Sequence, residues 1–167
     1  MTGKGGFRLD RIATFFDPWA DAQGTGYQVV QSLYAIGPSG LFGKGFGNSI
    51  QKHFYLPEPQ TDFIFAVAGE ELGFIGTISI IILLLLIVIE CILIASKAKD
   101  TSGKLICCGM GTLIGFQAFI NLCVATGLMP NTGMTLPFVS YGLTSLVSLY
   151  MGMGIVLNVG LQPKKYS

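Results

Sequence analysis

Three long apolar runs fill the second half of the chain. Phe74 to Ile94 carries a single charge, Glu90, and Leu105 to Leu128 carries none. Leu136 to Leu161 is also uncharged, although Pro137 and Gly142 interrupt it early. A helix needs roughly 20 apolar residues to cross the hydrocarbon core of a bilayer. The runs therefore predict spans over 69–96, 105–128 and 136–161, joined by loops at 97–104 and 129–135 and followed by a tail at 162–167. The first 68 residues contain no such run. Phe7 to Phe16 mixes apolar and charged positions at rough helical spacing, as an interfacial helix does, with Arg8 and Arg11 towards phosphates. Tyr27 to Ile36 is apolar but too short to span. The pattern as a whole is that of an all-α multi-pass membrane protein, three transmembrane helices preceded by a large loop with short interfacial helices.

Small and polar residues inside the runs predict how the spans pack. Gly109, Gly111 and Gly115 include a small-x-x-x-small pair that allows close helix approach, and Gly152 and Gly154 suggest the same in the third run. Gln117 and Asn121 are four apart, so they share a face and are expected to bond to a neighbouring helix. Gly43-Lys-Gly-Phe-Gly47 lacks the Gly and the Ser or Thr that a phosphate loop requires, and reads as a flexible turn.

Composition agrees with the pattern. Hydrophobic residues make up 51% of the 167 and charged residues 11%, against about a quarter charged in a soluble domain. A net charge of +1 offers no basic field for nucleic acid. The 4 cysteines all lie in apolar runs without a C-x-x-C pair, and His53 is the 1 histidine, so neither suggests a zinc or redox site. Lysines cluster in the 97–104 loop and at Lys164 and Lys165, while 129–135 is uncharged. Positive loops stay in the cytoplasm, which puts residues 1–68 outside. A segment of that size with no signal peptide leads to the expectation that the chain is the C-terminal part of a longer protein whose earlier spans are missing.

The candidate chemistry sits just before the first run, in Tyr55-Leu-Pro-Glu-Pro-Gln-Thr-Asp62 and on to Gly69-Glu-Glu-Leu-Gly73, which holds the carboxylates Glu58, Asp62, Glu70 and Glu71. Thr61 is a fair N-cap, with Asp62 in the first turn of the helix that follows, where the helix dipole favours the ionised form. Two readings stand side by side: carboxylates that cap a helix and mark the interface, or one that does chemistry on a substrate at the membrane surface.

Tyr27-Gln28, Gly40-Leu-Phe-Gly-Lys-Gly-Phe-Gly-Asn-Ser49, Tyr55-Leu-Pro-Glu58, Thr61-Asp-Phe-Ile-Phe-Ala66, Gly69-Glu-Glu-Leu-Gly73, Gly127-Leu-Met-Pro130, Leu136-Pro-Phe138 and Ser140-Tyr-Gly142 resemble, in unbroken order, the SEDS family of FtsW, RodA and SpoVE. Two positions depart from that family's usual pattern: Glu90 stands where Arg is usual, and Leu143 where a second Gly is. The resemblance implies a peptidoglycan glycosyltransferase that polymerises lipid II outside the plasma membrane, in division, elongation or sporulation. It implies a class B penicillin-binding transpeptidase as partner, among the membrane proteins of the divisome or elongasome. It also implies Asp62 as the essential aspartate and hence the base. Lys44, Lys52, Arg8 and Arg11 are candidates for the substrate's phosphates, with Glu58 beside them. Glu70 and Glu71 are in support. A divalent cation, Mg²⁺ or Mn²⁺, is an alternative at the phosphates, because hard cations prefer carboxylate and phosphate oxygens. The rival readings are a lipid II transporter, with Gln117 and Asn121 lining a path, and a non-catalytic scaffold for a transpeptidase.

Overall fold

The computed structural model describes residues 27–37, 40–45, 64–130 and 132–162. Four helices run through them: α1 (Tyr27–Ile36), α2 (Ile64–Lys97), α3 (Thr101–Ala125) and α4 (Leu143–Leu161). No strand occurs among the described residues. The helices α2, α3 and α4 are each long and apolar enough to cross a membrane. The chain is an all-α membrane protein.

The helix ends differ from the apolar runs for local reasons. α2 and α3 are joined by residues 98–100 alone, so Lys97 ends one helix and Lys104 lies in the first turn of the next. Lys104 N donates to Asp100 O at 3.1 Å to start α3. At its other end α3 stops at Ala125, before the apolar run does, because Gly127 adopts φ 73. Gly127 N donates to Val124 O at 3.1 Å and Leu128 N to Cys123 O at 2.7 Å, the paired bonds of a Schellman cap. α4 begins at Leu143 rather than at Leu136. Pro137 lacks a donor, and Phe138 takes φ 62, so the residues before Gly142 form a folded loop. Leu136 N donates to Ser140 Oγ at 2.8 Å, and Ser140 N returns a bond to Leu136 O at 3.1 Å. Leu136, Pro137 and Ser140 are buried there, and the Phe138 ring meets Tyr150 edge-on at 5.7 Å.

The α2–α3 contact is built on small residues. Gly103, Cys107, Gly111, Ile114, Ala118 and Asn121 form the buried stripe of α3. A Cβ at Gly111 would lie 3.0 Å from Cys91 Cβ, and one at Gly115 3.5 Å from the Val88 side chain. Gly109 meets nothing within 4 Å, so the close-packing pair is Gly111 and Gly115. On α4, Gly152 lies against Met110 and Gly160 against Ile94, whereas Gly154 faces open space. Lipid tails are as apolar as leucine, so such contacts hold by van der Waals packing and hydrogen bonds rather than by hydrophobic burial. Three clusters among the described residues carry the packing. Cys91, Ala95, Cys107 and Val156 pack near the 98–100 turn; Phe65, Leu84, Ala118, Ala125 and Leu136, and Val67 with Val124, pack towards the opposite end. α1 rests on this second end, where Ser32 Oγ donates to Ala125 O at 3.1 Å. Elsewhere Leu83, Leu85, Leu86, Phe116, Phe119 and Met151 point outward, as the sides of spans in lipid do.

Candidate active site

The end of the bundle far from the 98–100 turn brings together α1, residues 40–45, the start of α2 and the loop before α4. Its organising feature is a break in α2 at Gly73, which takes φ 68 and ψ −163. A helix broken at membrane depth leaves backbone groups that lipid cannot satisfy. Residues 40–45 satisfy them. In an unbroken helix Phe74 N and Ile75 N would donate to the carbonyls of Glu70 and Glu71. Here Phe74 N donates to Gly40 O at 3.1 Å and Ile75 N to Leu41 O at 3.3 Å. The two released carbonyls accept from the same loop, Glu70 O from Lys44 N at 2.9 Å and Glu71 O from Gly45 N at 3.1 Å. Four loop-to-helix bonds thus take the place of two helical ones.

Glycine makes the splice possible. The backbones of Gly43 and Gly73 touch, and a Cβ on either would collide with backbone atoms of the other segment. Gly40, Gly43 and Gly45 all have positive φ, a region that costs a residue with a Cβ about 1–2 kcal/mol. The run that reads from sequence as a flexible turn is thus a loop pinned to a helix by close approach.

Side chains close the same junction. Lys44 Nζ lies 2.7 Å from Glu70 Oε1, with the Glu70 side chain 1% exposed and that of Lys44 35%. Glu71 is buried beside it. A buried carboxylate is costly without a cation, and Lys44 supplies one from the rim. On the other side, Gln117 Nε2 donates to Thr135 O at 3.0 Å and Asn121 Nδ2 to Met134 O at 2.6 Å. These two amides therefore hold the loop before α4, not a neighbouring helix. The physical reason is that this loop, unlike a helix, has main-chain carbonyls in want of donors.

Among the sequence-predicted site residues the structure brings Lys44 and Glu70 together and places Glu71 next to them. Asp62, Glu58, Lys52, Arg8 and Arg11 lie outside the described residues. Asp62 precedes Ile64, the first residue of α2, by two positions in the chain. Among the described residues no three His, Cys, Asp or Glu side chains group as a metal site, and Glu70 already holds an ammonium. Sequence reading missed Gly73. Its signal was a glycine at the mouth of a long helical run, the position where a break or a close approach is expected.

The sequence pattern of the FtsW/RodA/SpoVE family of cell cycle proteins matches residues 2–165. The chain belongs to that family. The resemblance read from the motifs is thereby shown. Among its relatives, stage V sporulation protein E of Bacillus subtilis is 52% identical over 153 residues, covering 92% of this chain and 42% of that protein. A probable peptidoglycan glycosyltransferase FtsW of Geobacter metallireducens is 45% identical over 158 residues, 95% of this chain and 42% of that one. This family member thus spans about two fifths of the length of the curated relatives it matches. A solved structure described as "Structural coordination of polymerization and crosslinking by a peptidoglycan synthase complex" superposes with a TM-score of 0.71 at 36% identity, covering 92% of this chain and 41% of that one. Neither of the two departures from the family's usual residues is among those that form the junction's main-chain bonds or its ion pair. Glu90 lies with Leu83, Ile87, Phe138 and Met153 along a groove of about 560 Å³ between α2 and α4, and Leu143 is exposed at the first position of α4.

Proposed function

We propose that the chain is the part of a peptidoglycan glycosyltransferase that carries its general base, and that the whole enzyme polymerises lipid II at the outer face of the plasma membrane. The observation that carries this reading is the likeness, over nine tenths of the chain, to proteins named probable peptidoglycan glycosyltransferase. Asp62 takes the proton from the sugar hydroxyl as its oxygen attacks the anomeric carbon of a second sugar. The new glycosidic C–O bond forms as the C–O bond to the lipid pyrophosphate breaks, and the pyrophosphate leaves with the electron pair. Arg8, Arg11 and Lys52 neutralise that leaving group; a divalent cation, Mg²⁺ or Mn²⁺, would supply the same positive charge, with Glu58 as the carboxylate to hold it. A cationic leaving-group site removes the need for the second, acidic carboxyl of glycoside hydrolysis. The lysines at 97–104 and at 164 and 165 put those ends in the cytoplasm, and the opposite end of α2, with the junction, outside. A class B penicillin-binding transpeptidase is the partner. The solved relative's description, polymerization coordinated with crosslinking, supports that choice.

The transporter reading gains nothing from the described residues. The two amides that would line its path are engaged by the carbonyls of Thr135 and Met134. The test is a chimera in which this chain replaces the matching 158 residues of the Geobacter metallireducens relative, purified with its transpeptidase and given lipid II. The proposal expects glycan strands. Movement of lipid II across vesicles without polymerisation contradicts it.

A further inference from the structure

We propose that Lys44 and Glu70 form a lock that positions the start of α2, and through it the approach to Asp62, so that Lys44 is a positioning residue and not a ligand of the substrate's phosphates. The activity half of this inference rests on the glycosyltransferase reading; the lock itself does not.

Lys44 is the cation that basic residues near a phosphate site would lead one to enlist, yet its ammonium is 2.7 Å from a carboxylate buried to 1% exposure. Turning it towards a pyrophosphate would withdraw that cation from a buried carboxylate, the costliest way to break such a pair. The pair also sits where it has mechanical leverage. Lys44 N bonds the carbonyl of the same Glu70 that its side chain pairs with, so one loop residue holds one helix residue by main chain and side chain together. Three residues on, Gly73 breaks the helix. The piece of α2 before the break, from Ile64 to Leu72, no longer takes its direction from the span. The loop sets that direction: two main-chain bonds reach Glu70 and Glu71, the ion pair reaches Glu70, and two further main-chain bonds hold Phe74 and Ile75 beyond the break. Phe65, Ala66 and Val67 in the same piece are buried as well, so the lock and the packing together fix it as a rigid mount. Asp62 stands two positions before it in the chain. A displaced mount misplaces the base, and a misplacement of about 1 Å at a reacting group is enough for a rate loss near a hundredfold.

A double-mutant cycle of Lys44→Met and Glu70→Gln decides the matter, with Lys44→Arg as the conservative variant. In the full chain in detergent, each single substitution is expected to lower the unfolding midpoint, and the double to lower it no further than the worse single, because partners in one pair are not additive. In the chimera supplied with lipid II, each single is expected to lower kcat by about tenfold to a hundredfold while KM stays within about twofold. The double should match the worse single, and Lys44→Arg should keep most of the activity. A rise in KM with Lys44→Met that Glu70→Gln does not share makes Lys44 a phosphate ligand and overturns the proposal, as do additive thermal effects. A chimera inactive before any substitution defeats the glycosyltransferase reading instead, and the thermal cycle still upholds or overturns the lock.

Discussion

Gly43 and Gly73 are the two residues on which the junction turns, and neither is replaceable for the same two reasons. Both have positive φ, 70 and 68, and each backbone occupies the space where the other's Cβ would be. Gly73→Ala is therefore expected to destabilise the chain by more than the roughly 1–3 kcal/mol of a strained backbone alone, since the loop must also shift. Gly37, directly after α1 and with nothing within 4 Å, is the control: Gly37→Ala should change the unfolding midpoint in detergent little. Equal effects at the two positions would show that the close approach does not hold the loop. A different kind of strain sits at Phe138, which holds φ 62 without being glycine because Leu136, Pro137 and the ring contact with Tyr150 surround it. Asn121 is the polar counterpart. Its bond to Met134 O at 2.6 Å is expected to be worth about 1–2 kcal/mol in an apolar surround, so Asn121→Leu should lower the midpoint and increase protease cleavage in 132–142.

Among the elements, the spans were legible from run length alone, because a helix in lipid needs only continuous apolar character, and that is a local property. Their ends were less so. α4 begins seven positions after its apolar run does, since Leu136 and Pro137 are apolar for a loop's core and not for a helix. The splice of residues 40–45 into α2 was not legible at all, because it pairs distant positions, Lys44 with Glu70 and Gly40 with Phe74, through main-chain atoms, which the side-chain pattern does not report. The glycine stripe was half legible: spacing offered Gly109, Gly111 and Gly115 together, and only the facing helix separates them. That separation is testable. Gly111→Leu must push Cys91 and α2 away and is expected to cost about 1–3 kcal/mol, as overpacking does. Gly109→Leu enters the open groove beside Leu113 and Phe116 and should be tolerated within about 0.5 kcal/mol. Thermal unfolding in detergent measures both.

At the scale of the whole molecule, the proposed orientation puts the junction at one end of the bundle outside and the lysine-bearing turn inside. Ser102 and Thr132 are both exposed, at opposite ends of α3. With an impermeant thiol reagent on intact cells, Thr132→Cys should be labelled and Ser102→Cys protected, each in a background where Cys91, Cys107, Cys108 and Cys123 are replaced. Reversed labelling would place the candidate base on the cytoplasmic side and remove the lipid II reading. The central claim is narrower, that Asp62 is the base. In the chimera with its transpeptidase partner, Asp62→Asn exchanges a carboxylate for an amide of nearly the same size, and asparagine serves a helix start about as well as aspartate. Membrane level and partner binding are therefore expected to persist. Glycan polymerisation from lipid II is expected to fall by about 10²–10⁴-fold, the usual loss when a positioned base is removed, and Glu58→Gln or Glu71→Gln should fall by less. An Asp62→Asn enzyme that polymerises lipid II at near the parental rate would contradict the account.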